Sequence, residues 1–252
     1  MYTIKDIFNT LSNSVDNMAN NTVFTYLIRA MLGGVYIGIG IILIFTLGNT
    51  LPPEFRPLIM GATFGIALTL ILVAGAYLYT GHTFVFSCYI LDSRFRSRSK
   101  LSFSKCLAML CTTWVGNLLG AMLLAYGIAH IFSPLTLESS IVHSAALAKV
   151  TFTPTSLILK GFFCNLLVCL AIWMWNRLKE TVSGLICVWW CLLAFIACGF
   201  EHSVANMTLL FLSYFGEGSH ITLGQIFYNL GYVTLGNTLA GFVLAYCYSR
   251  HD

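Results

Sequence analysis

The chain has 252 residues, of which 58% are hydrophobic and 9% are charged, with a formal net charge of +4. Soluble domains carry about 25% charged residues, so this chain could not cover a water-exposed surface, and a soluble globular protein is excluded. The composition predicts a membrane protein that crosses the bilayer several times. Nine cysteines occur without any CxxC pair, which indicates buried thiols rather than a disulfide framework.

Residues 1–25 are polar but amphipathic. Apolar side chains recur there at steps of four and three residues, at Ile4, Phe8, Leu11, Val15 and Met18. This period is typical of a helix with one apolar face. We expect residues 1–25 to form a cytoplasmic helix that lies on the membrane surface or packs on a neighbouring subunit. No signal peptide is indicated, because no apolar core precedes a cleavage site in this stretch.

Six apolar segments follow and predict an all-α membrane protein with six transmembrane helices, since about 20 apolar residues cross the hydrocarbon of a bilayer. The segments are residues 26–51, 57–91, 103–132, 156–174, 185–215 and 225–248. The second and fifth are longer than one crossing needs and carry polar or glycine interruptions, at 79–82 and at 199–202. The second and fifth helices are therefore predicted to be broken, which points to a substrate site near the bilayer midplane.

The two halves of the chain match each other in part. The string GNLLGAMLLAY at 116–126 aligns without gaps to GNTLAGFVLAY at 236–246, with six of eleven positions identical at an offset of 120 residues. The same offset carries His82 onto His202. Because each half has three segments, such a repeat would have inverted topology. We interpret Asn117 and Asn237, which match in this alignment, as hydrogen-bonding groups between close-packed helices rather than as ligands.

Lysine and arginine predict the orientation, because cytoplasmic loops carry an excess of both. The loops after the second and fourth segments and the two termini are basic, and the opposite loops hold fewer cations. The residues on the basic side are Lys5, Arg94, Arg96, Arg98, Lys100, Lys105, Arg177, Lys179 and Arg250. Both termini are thus expected in the cytoplasm. Topology alone accounts for this positive charge, so no nucleic-acid partner is indicated.

Glu201 and His202 interrupt an otherwise apolar stretch at residues 186–215, which has no other carboxylate and no lysine or arginine. The pair would lie near mid-membrane if this segment spans the bilayer. An ionisable group at that depth costs about 2.5–3.5 kcal/mol or more, so its default interpretation is functional. Imidazole titrates near pH 6.5 when unperturbed and can bind or share a proton.

Several strings resemble the formate/nitrite transporter family. They are FEHSVANM (200–207), LYTGHT (78–83), HSAALAK (143–149), GFFCNLLVCLAIW (161–173) and TLGNTLAG (234–241). The strings at 38–49 and 56–70 are similar to its bacterial nitrite channel subgroup. The resemblance implies an aquaporin-like inverted repeat, with residues 26–252 forming a six-helix channel domain. It also implies a homopentamer with one pore in each protomer, in the inner membrane of a bacterial cell.

The resemblance further implies roles for nine residues. His202 would be the central pore residue, facing Thr80, and Glu201 would anchor the break in the fifth helix. Asn165 and Lys149 would lie near the pore and its outer vestibule. The apolar constrictions would be formed by Phe64, Leu68, Leu78 and Phe195. In one respect the chain departs from the family pattern, because Tyr77 occupies a position that is usually acidic.

These residues predict a passive channel for nitrite and similar anions of weak acids. An anion would pass Lys149, share a proton or a hydrogen bond with His202 and Thr80, and cross the apolar constrictions nearly neutral. A proton-coupled symporter that prefers formate or hydrosulfide is the alternative within transport. An integral-membrane redox enzyme is less expected, because no ligand spacing such as CxxCH occurs. No catalytic residue, metal or cofactor is predicted, and a structural scaffold would not need Glu201 and His202 at mid-span.

Overall fold

The computed structural model describes residues 1–91, 101–131 and 135–250, and over these ranges the regular structure is helical, without strands. The helices are α1 (Ile4–Ala19), α2 (Val23–Thr50), α3 (Arg56–Thr63), α4 (Gly65–Ala74), α5 (Tyr79–Leu91) and α6 (Phe103–Ile131), followed by α7 (Ile141–Thr151), α8 (Pro154–Arg177), α9 (Thr181–Ala197), α10 (Ser203–Phe215) and α11 (Leu223–Ser249). Arg94, Arg96, Arg98 and Lys100, used to predict the orientation, lie outside the described residues.

Five stretches are long and apolar enough to cross a membrane, namely α2, the run Arg56–Ala74 of α3 and α4, α6, α8 and α11. Four of them coincide with predicted segments, and the run Arg56–Ala74 covers about the first half of the predicted segment 57–91. The fifth predicted segment, residues 185–215, is divided between the shorter apolar helices α9 and α10. Helix α7 was not predicted, because its 11 residues are too few for a spanning segment and do not show a strong apolar period.

Both predicted broken helices are interrupted, but only one interruption lies where the sequence placed it. The chain leaves α9 after Ala197 and enters α10 at Ser203, as the interruption at 199–202 predicts. The placement at 79–82 is wrong, because those residues form the first turn of α5 and the chain is irregular at 75–78. Gly75 ends α4 in the left-handed conformation, with φ of 80°, and Gly199 follows α9 with φ of 65°.

Two asparagines hold the two interruptions in the same way, which confirms their interpretation as interhelical hydrogen-bonding groups. Asn117 Oδ1 accepts from the backbone N–H of Tyr79, and its Nδ2 donates to the carbonyl oxygens of Ala30 and Tyr77. Asn237 Oδ1 accepts from the N–H of Ser203, and its Nδ2 donates to the carbonyl oxygens of Gly161 and Glu201. Both asparagines are fully buried.

The matching contacts also correct the pairing of His82 with His202. Tyr77 and Glu201 both accept from the bridging asparagine, and they lie 124 residues apart rather than 120. His202 is the residue before α10 begins, so its counterpart at the first interruption is Leu78. His82 lies inside α5, with Nδ1 3.3 Å from Thr113 Oγ1. The ungapped alignment of α6 with α11 could not show this, because the chain between each interruption and its bridging asparagine differs in length between the two halves.

Small residues bring the asparagines within reach of the facing backbone. Helix α6 packs on α2, and α11 packs on α8. A Cβ atom at Gly120 would stand 2.0 Å from the carbonyl oxygen of Met31, and one at Gly236 would stand 2.2 Å from that of Ile158. Such distances are far below van der Waals contact, so these helix pairs can approach this closely only with glycine at the crossing.

Helix α1 is amphipathic, and it packs on α5 and α8 of its own chain. Thr3 and Asp6 form a capping box at its start, which satisfies backbone N–H groups that the first turn leaves free. Its apolar face is buried through Ile7, Phe8, Leu11, Val15 and Met18. The Tyr89 hydroxyl of α5 donates to Asp16 Oδ1 at 2.9 Å. This face is therefore occupied by the same chain rather than by lipid or a neighbouring subunit.

Replacing either bridging asparagine with alanine should destabilise the protein. Asn237→Ala leaves one buried N–H and two buried carbonyl groups without this partner, and each unsatisfied group costs about 1–3 kcal/mol. We expect a loss of about 2–5 kcal/mol, seen as a lower thermal midpoint of the purified protein in detergent. The control is Asn176→Ala, because Asn176 is half-buried and donates only within its own helix, to Ile172 O. Equal midpoints for the two variants would contradict the bridging role.

Candidate functional site

The two interruptions bring His202 and Thr80 into contact. His202 Nε2 lies 2.9 Å from Thr80 Oγ1, and both side chains are buried. His202 is the N-cap of α10, and its Nδ1 accepts from the backbone N–H of Ala205 at 3.1 Å. An Nδ1 that accepts this bond carries no hydrogen, so the hydrogen of the neutral ring is on Nε2. His202 therefore donates to Thr80, and the Thr80 hydroxyl keeps its own hydrogen for another acceptor.

Asn165 lies behind Thr80 rather than on a cavity wall. It is fully buried, and its Nδ2 donates to Thr80 O at 3.1 Å, Thr83 Oγ1 at 2.9 Å and Asn237 O at 2.6 Å. Because its amide hydrogens are used in these contacts, Asn165 has none left to offer a permeant anion. Asn165 thus supports the first turn of α5, next to Thr80.

Glu201 and Lys149 form an ion pair beside the second interruption. Lys149 Nζ lies 2.6 Å from Glu201 Oε1, and Asn206 Nδ2 donates to Glu201 Oε2 at 2.6 Å. Asn229 links the two halves of this network, accepting from Asn206 and donating to Lys149 O. The Lys149 side chain is 19% exposed and that of Glu201 is 2% exposed. The sequence did not predict the pairing of Lys149 with Glu201 or the contacts of the two asparagines.

The four residues expected at constrictions come together around His202. They line a void of about 10 Å³, together with Ile37, Val168, Leu192 and His202. The ring of Phe195 stacks on His202 with centroids 5.8 Å apart, and Phe64 meets Phe195 edge-on at 5.5 Å. A single water needs about 10–15 Å³, so the centre of the bundle is closed to all but one water.

A larger cavity lies on each side of this central void. The Lys149 cavity has about 170 Å³ and shares Phe195 and His202 with the void. The Arg29 cavity has about 300 Å³ and shares Leu78 with the void. Helix α2 contributes Arg29 to one cavity, Ile37 to the void and Phe45 to the other cavity. Since these residues follow one another along a single helix, the three spaces succeed one another along the bundle axis.

Arg29 is a functional candidate that the sequence reasoning missed. The sequence did contain a signal for this residue, because Arg29 is the lone cation inside the predicted apolar segment 26–51. Arg29 Nη1 lies 3.2 Å from the hydroxyl of Tyr77, and its carbonyl oxygen accepts from the Tyr77 N–H. Asn21 Nδ2 also donates to the Tyr77 hydroxyl, at 2.8 Å. The residue that replaces the expected acid is therefore held by α2 and by the connection before it.

A metal centre is not part of the described geometry. Among residues 1–91, 101–131 and 135–250, no three or more His, Cys, Asp and Glu residues are grouped so that they could hold a metal ion. The donors at the centre are His202, which lines the void, and the Thr80 hydroxyl that contacts it, and both residues lie at the start of a helix, α10 and α5 respectively. These groups can give hydrogen bonds to an anion, because the N-terminus of a helix carries free N–H groups and a partial positive charge.

Comparison with known proteins identifies similar chains. The family model described as "Formate/nitrite transporter" matches residues 5–250. The chain is 49% identical to the protein named nitrite transporter NirC of Salmonella typhimurium over 243 residues, covering 93% of this chain and 87% of the relative. It is 48% identical to the protein of the same name in Escherichia coli, with the same coverage.

Solved structures are similar over almost the whole chain. A structure described as an FNT family ion channel superimposes with a TM-score of 0.88 at 47% identity, covering 98% of this chain and 99% of that one. A second, described as a pentameric formate channel with formate bound, has a TM-score of 0.77 at 22% identity, covering 89% and 95%. The second likeness shows a shared fold.

The Lys149–Glu201 pair can be tested by a double-mutant cycle. Lys149→Met leaves the Glu201 carboxylate buried without its cation, and we expect a loss of about 2–4 kcal/mol, somewhat less than for a fully buried pair because Lys149 is partly exposed. Lys149→Met combined with Glu201→Gln removes both charges and should recover much of that stability. Thermal midpoints of the purified variants measure both effects. Additive losses in the double variant would show that the two side chains do not interact.

Proposed function

We propose that this chain, which belongs to the formate/nitrite transporter family, is a membrane channel that conducts nitrite and related small monovalent anions. Membership of this family agrees with the prediction that the chain is a transporter rather than an enzyme, because the relatives that match it are named transporters and channels. Two relatives about half identical to the chain over 93% of its length are named nitrite transporters, which supports nitrite as the permeant anion.

The succession of the Lys149 cavity, the central void and the Arg29 cavity along α2 is the observation that carries this proposal. The three spaces share Phe195, His202 and Leu78 as dividing residues. A permeant ion would therefore meet one closed, mainly apolar stretch between two wider spaces. All three spaces lie within a single chain, which supports one conducting pathway in each protomer.

The closed stretch explains why donors are needed at the centre. Burying a bare ion costs of order 20 kcal/mol in the idealised limit, and the apolar side chains of Phe64, Leu68, Leu78 and Phe195 cannot replace lost water. The Thr80 hydroxyl hydrogen is available to bind an anion at this depth without adding a formal charge, and the His202 N–H can do the same when it exchanges Thr80 for the anion. The N-termini of α5 and α10 add their partial positive charges at the same level. We assign Glu201 and Asn165 positioning roles, for His202 and Thr80 respectively.

The capping bond of His202 favours hydrogen bonding over proton transfer. If Nε2 gave its proton to nitrite, the ring would become an imidazolate unless Nδ1 gained a proton. Protonation of Nδ1 would break its bond with the Ala205 N–H and remove the N-cap of α10. We therefore infer that nitrite passes His202 as an anion, and that the protein is a channel rather than a proton-coupled symporter.

We propose that the membrane domain has six spans and an inverted repeat. Helices α9 and α10 would form the two halves of one span, and α3, α4 and α5 the parts of another. The matching roles of Asn117 and Asn237 support this repeat. The basic residues Lys5, Lys105, Arg177 and Arg250 support a cytoplasmic location for both termini. A homopentamer in a bacterial inner membrane agrees with the fold of the pentameric channel.

His202→Asn should lower nitrite flux through the reconstituted protein about tenfold or more, because one hydrogen bond to a charged group contributes about 1.5–3 kcal/mol. Asparagine can still cap α10, so the fold should be kept. The matched control is His143→Asn, since His143 is also buried but bonds Ser213 and Thr136 and lines none of the described cavities. An unchanged flux for His202→Asn would refute the central role of this residue.

Conduction of the anion itself should be electrogenic. With equal pH on both sides, a membrane potential should drive nitrite current, and the reversal potential should follow the nitrite gradient. A pH gradient without a nitrite gradient should drive no net nitrite movement beyond the leak of protein-free vesicles. Electrically silent uptake that follows the proton gradient would instead establish the symporter, and competition with formate and hydrosulfide in the same vesicles would rank the anions.

A further inference from the structure

We propose that Arg29 and Tyr77 form an anion-capture site in the Arg29 cavity, separate from the central His202 site. This inference rests on the proposed function, because it assigns the place where a small monovalent anion first binds on the α1 side of the protein. The site would take an anion that is still partly hydrated and deliver it to Leu78, the residue that separates this cavity from the central void.

Charge is the first argument for the site. Of the described residues that line the Arg29 cavity, Arg29 is the only one with a permanent charge, and neither Asp nor Glu is among them. Within the part of the chain that the structure describes, no carboxylate forms an ion pair with Arg29. Lys149 in the opposite cavity is neutralised by Glu201 at 2.6 Å. The two ends of the proposed pathway therefore differ in net charge, and the Arg29 end is positive.

The second argument is that Tyr77 holds Arg29 without neutralising its positive charge. The guanidinium stands 5.6 Å from the centre of the Tyr77 ring and donates to its hydroxyl, so it is held in place by a neutral partner. Tyr77 stands at the position of Glu201 in the other interruption, and the family that the sequence resembles usually has an acid there. A carboxylate at this position would neutralise Arg29 and repel anions. Tyrosine instead orients the guanidinium and leaves its charge available.

Tyr77 also supplies a donor of its own. It is 8% exposed and lines the cavity, and its hydroxyl oxygen accepts from both Asn21 and Arg29. Since these contacts use the oxygen as acceptor, the hydroxyl hydrogen is left for a further acceptor. An anion beside Arg29 would be that acceptor. The geometry thus offers a cation and a neutral donor at one point of the cavity wall.

The first turn of α5 extends the site toward the centre. Gly81 lines the same cavity, and the backbone N–H groups of Thr80 and Gly81 have no acceptor among the described residues. Free N–H groups at a helix start favour anions. The cavity of about 300 Å³ is far larger than the roughly 10–15 Å³ that a single water needs, so an anion can bind here while it keeps part of its hydration. It would lose the rest only at Leu78.

An uneven charge distribution should produce uneven transport. Anions entering from the Arg29 cavity meet an unpaired cation before the barrier, whereas anions entering from the Lys149 cavity meet a neutral ion pair. Half-saturation should therefore occur at a lower nitrite concentration when nitrite is added on the Arg29 side. The maximal flux is set at the central void and should be similar in both directions.

The experiment compares the wild-type protein with Arg29→Gln and Arg29→Lys in right-side-out and inverted membrane vesicles. Arg29→Gln should raise the half-saturating nitrite concentration on the Arg29 side roughly three- to tenfold, since one unit charge several ångströms away contributes on this scale. Arg29→Lys should stay near wild type. The difference should shrink with added salt of an impermeant anion, because the screening length is about 10 Å at 0.1 M ionic strength.

Lys5→Gln is the matched control, since it removes one positive charge from α1, on the same side, at an exposed residue that lines none of the described cavities. Equal half-saturation for wild type, Arg29→Gln and Lys5→Gln would overturn the capture site while leaving the nitrite channel intact. If the wild-type protein conducted no nitrite, the proposed function would be overturned, and this inference with it. A uniform fall in maximal flux for Arg29→Gln would assign Arg29 to folding rather than to capture.

Tyr77→Glu and Tyr77→Phe test the partner residue. Tyr77→Glu should have the same half-saturating nitrite concentration as Arg29→Gln, because its carboxylate neutralises the guanidinium. Tyr77→Phe should keep a half-saturating concentration within about threefold of wild type, because only one neutral donor is lost. A direct readout is the rate at which phenylglyoxal modifies Arg29 in the purified protein, followed by peptide mass spectrometry. Nitrite should slow this modification in wild type. No protection by nitrite would contradict binding at Arg29, whatever the flux.

Discussion

A peptide group released from a helix inside a membrane must find another hydrogen-bond partner, because the hydrocarbon offers none. This chain meets that constraint twice with the same device. Asn117 and Asn237 each join a carbonyl inside an interruption to the N–H that begins the next helix, and each also holds a facing helix. Once these backbone groups are satisfied, the two interruptions can place polar side chains at the centre of an apolar bundle. His202 and Thr80 depend on this support for their contact.

The two interruptions share a framework but differ in what they carry. Leu78 and His202 occupy matching positions, so one interruption supplies an apolar dividing residue and the other supplies a donor. Tyr77 and Glu201 also match, and their neighbours differ accordingly. Glu201 is paired with Lys149, whereas Tyr77 holds Arg29 without neutralising it. The framework is therefore symmetric in its backbone contacts and asymmetric in its charge, and the asymmetry gives the two cavities different electrostatic characters.

Much of the fold could be predicted from the sequence, because apolar length and period reflect a bilayer directly. The segments at 26–51, 103–132, 156–174 and 225–248 coincide with α2, α6, α8 and α11. The first interruption was misplaced because Gly81 looked like a helix breaker, whereas it lies within α5 and Gly75 ends α4. At the site, the Lys149–Glu201 pair joins residues 52 positions apart, and no local pattern encodes such a contact. The contacts of Asn165 with Thr80 and Asn237 likewise join residues 85 and 72 positions apart, and sequence does not tell which face of a helix meets its neighbour.

Transport through a narrow site requires binding that is strong enough to replace water and weak enough to release the ion. A fixed cation beside the central void would satisfy the first requirement and fail the second, because an ion pair in a low-dielectric environment is long-lived. The structure keeps formal charge away from the void itself. Lys149 is neutralised by Glu201, Arg29 lies on the far side of Leu78, and His202 uses Nδ1 to cap α10 while Nε2 offers a neutral N–H. In the proposed channel, these neutral donors and helix N-termini would stabilise an anion in transit without trapping it.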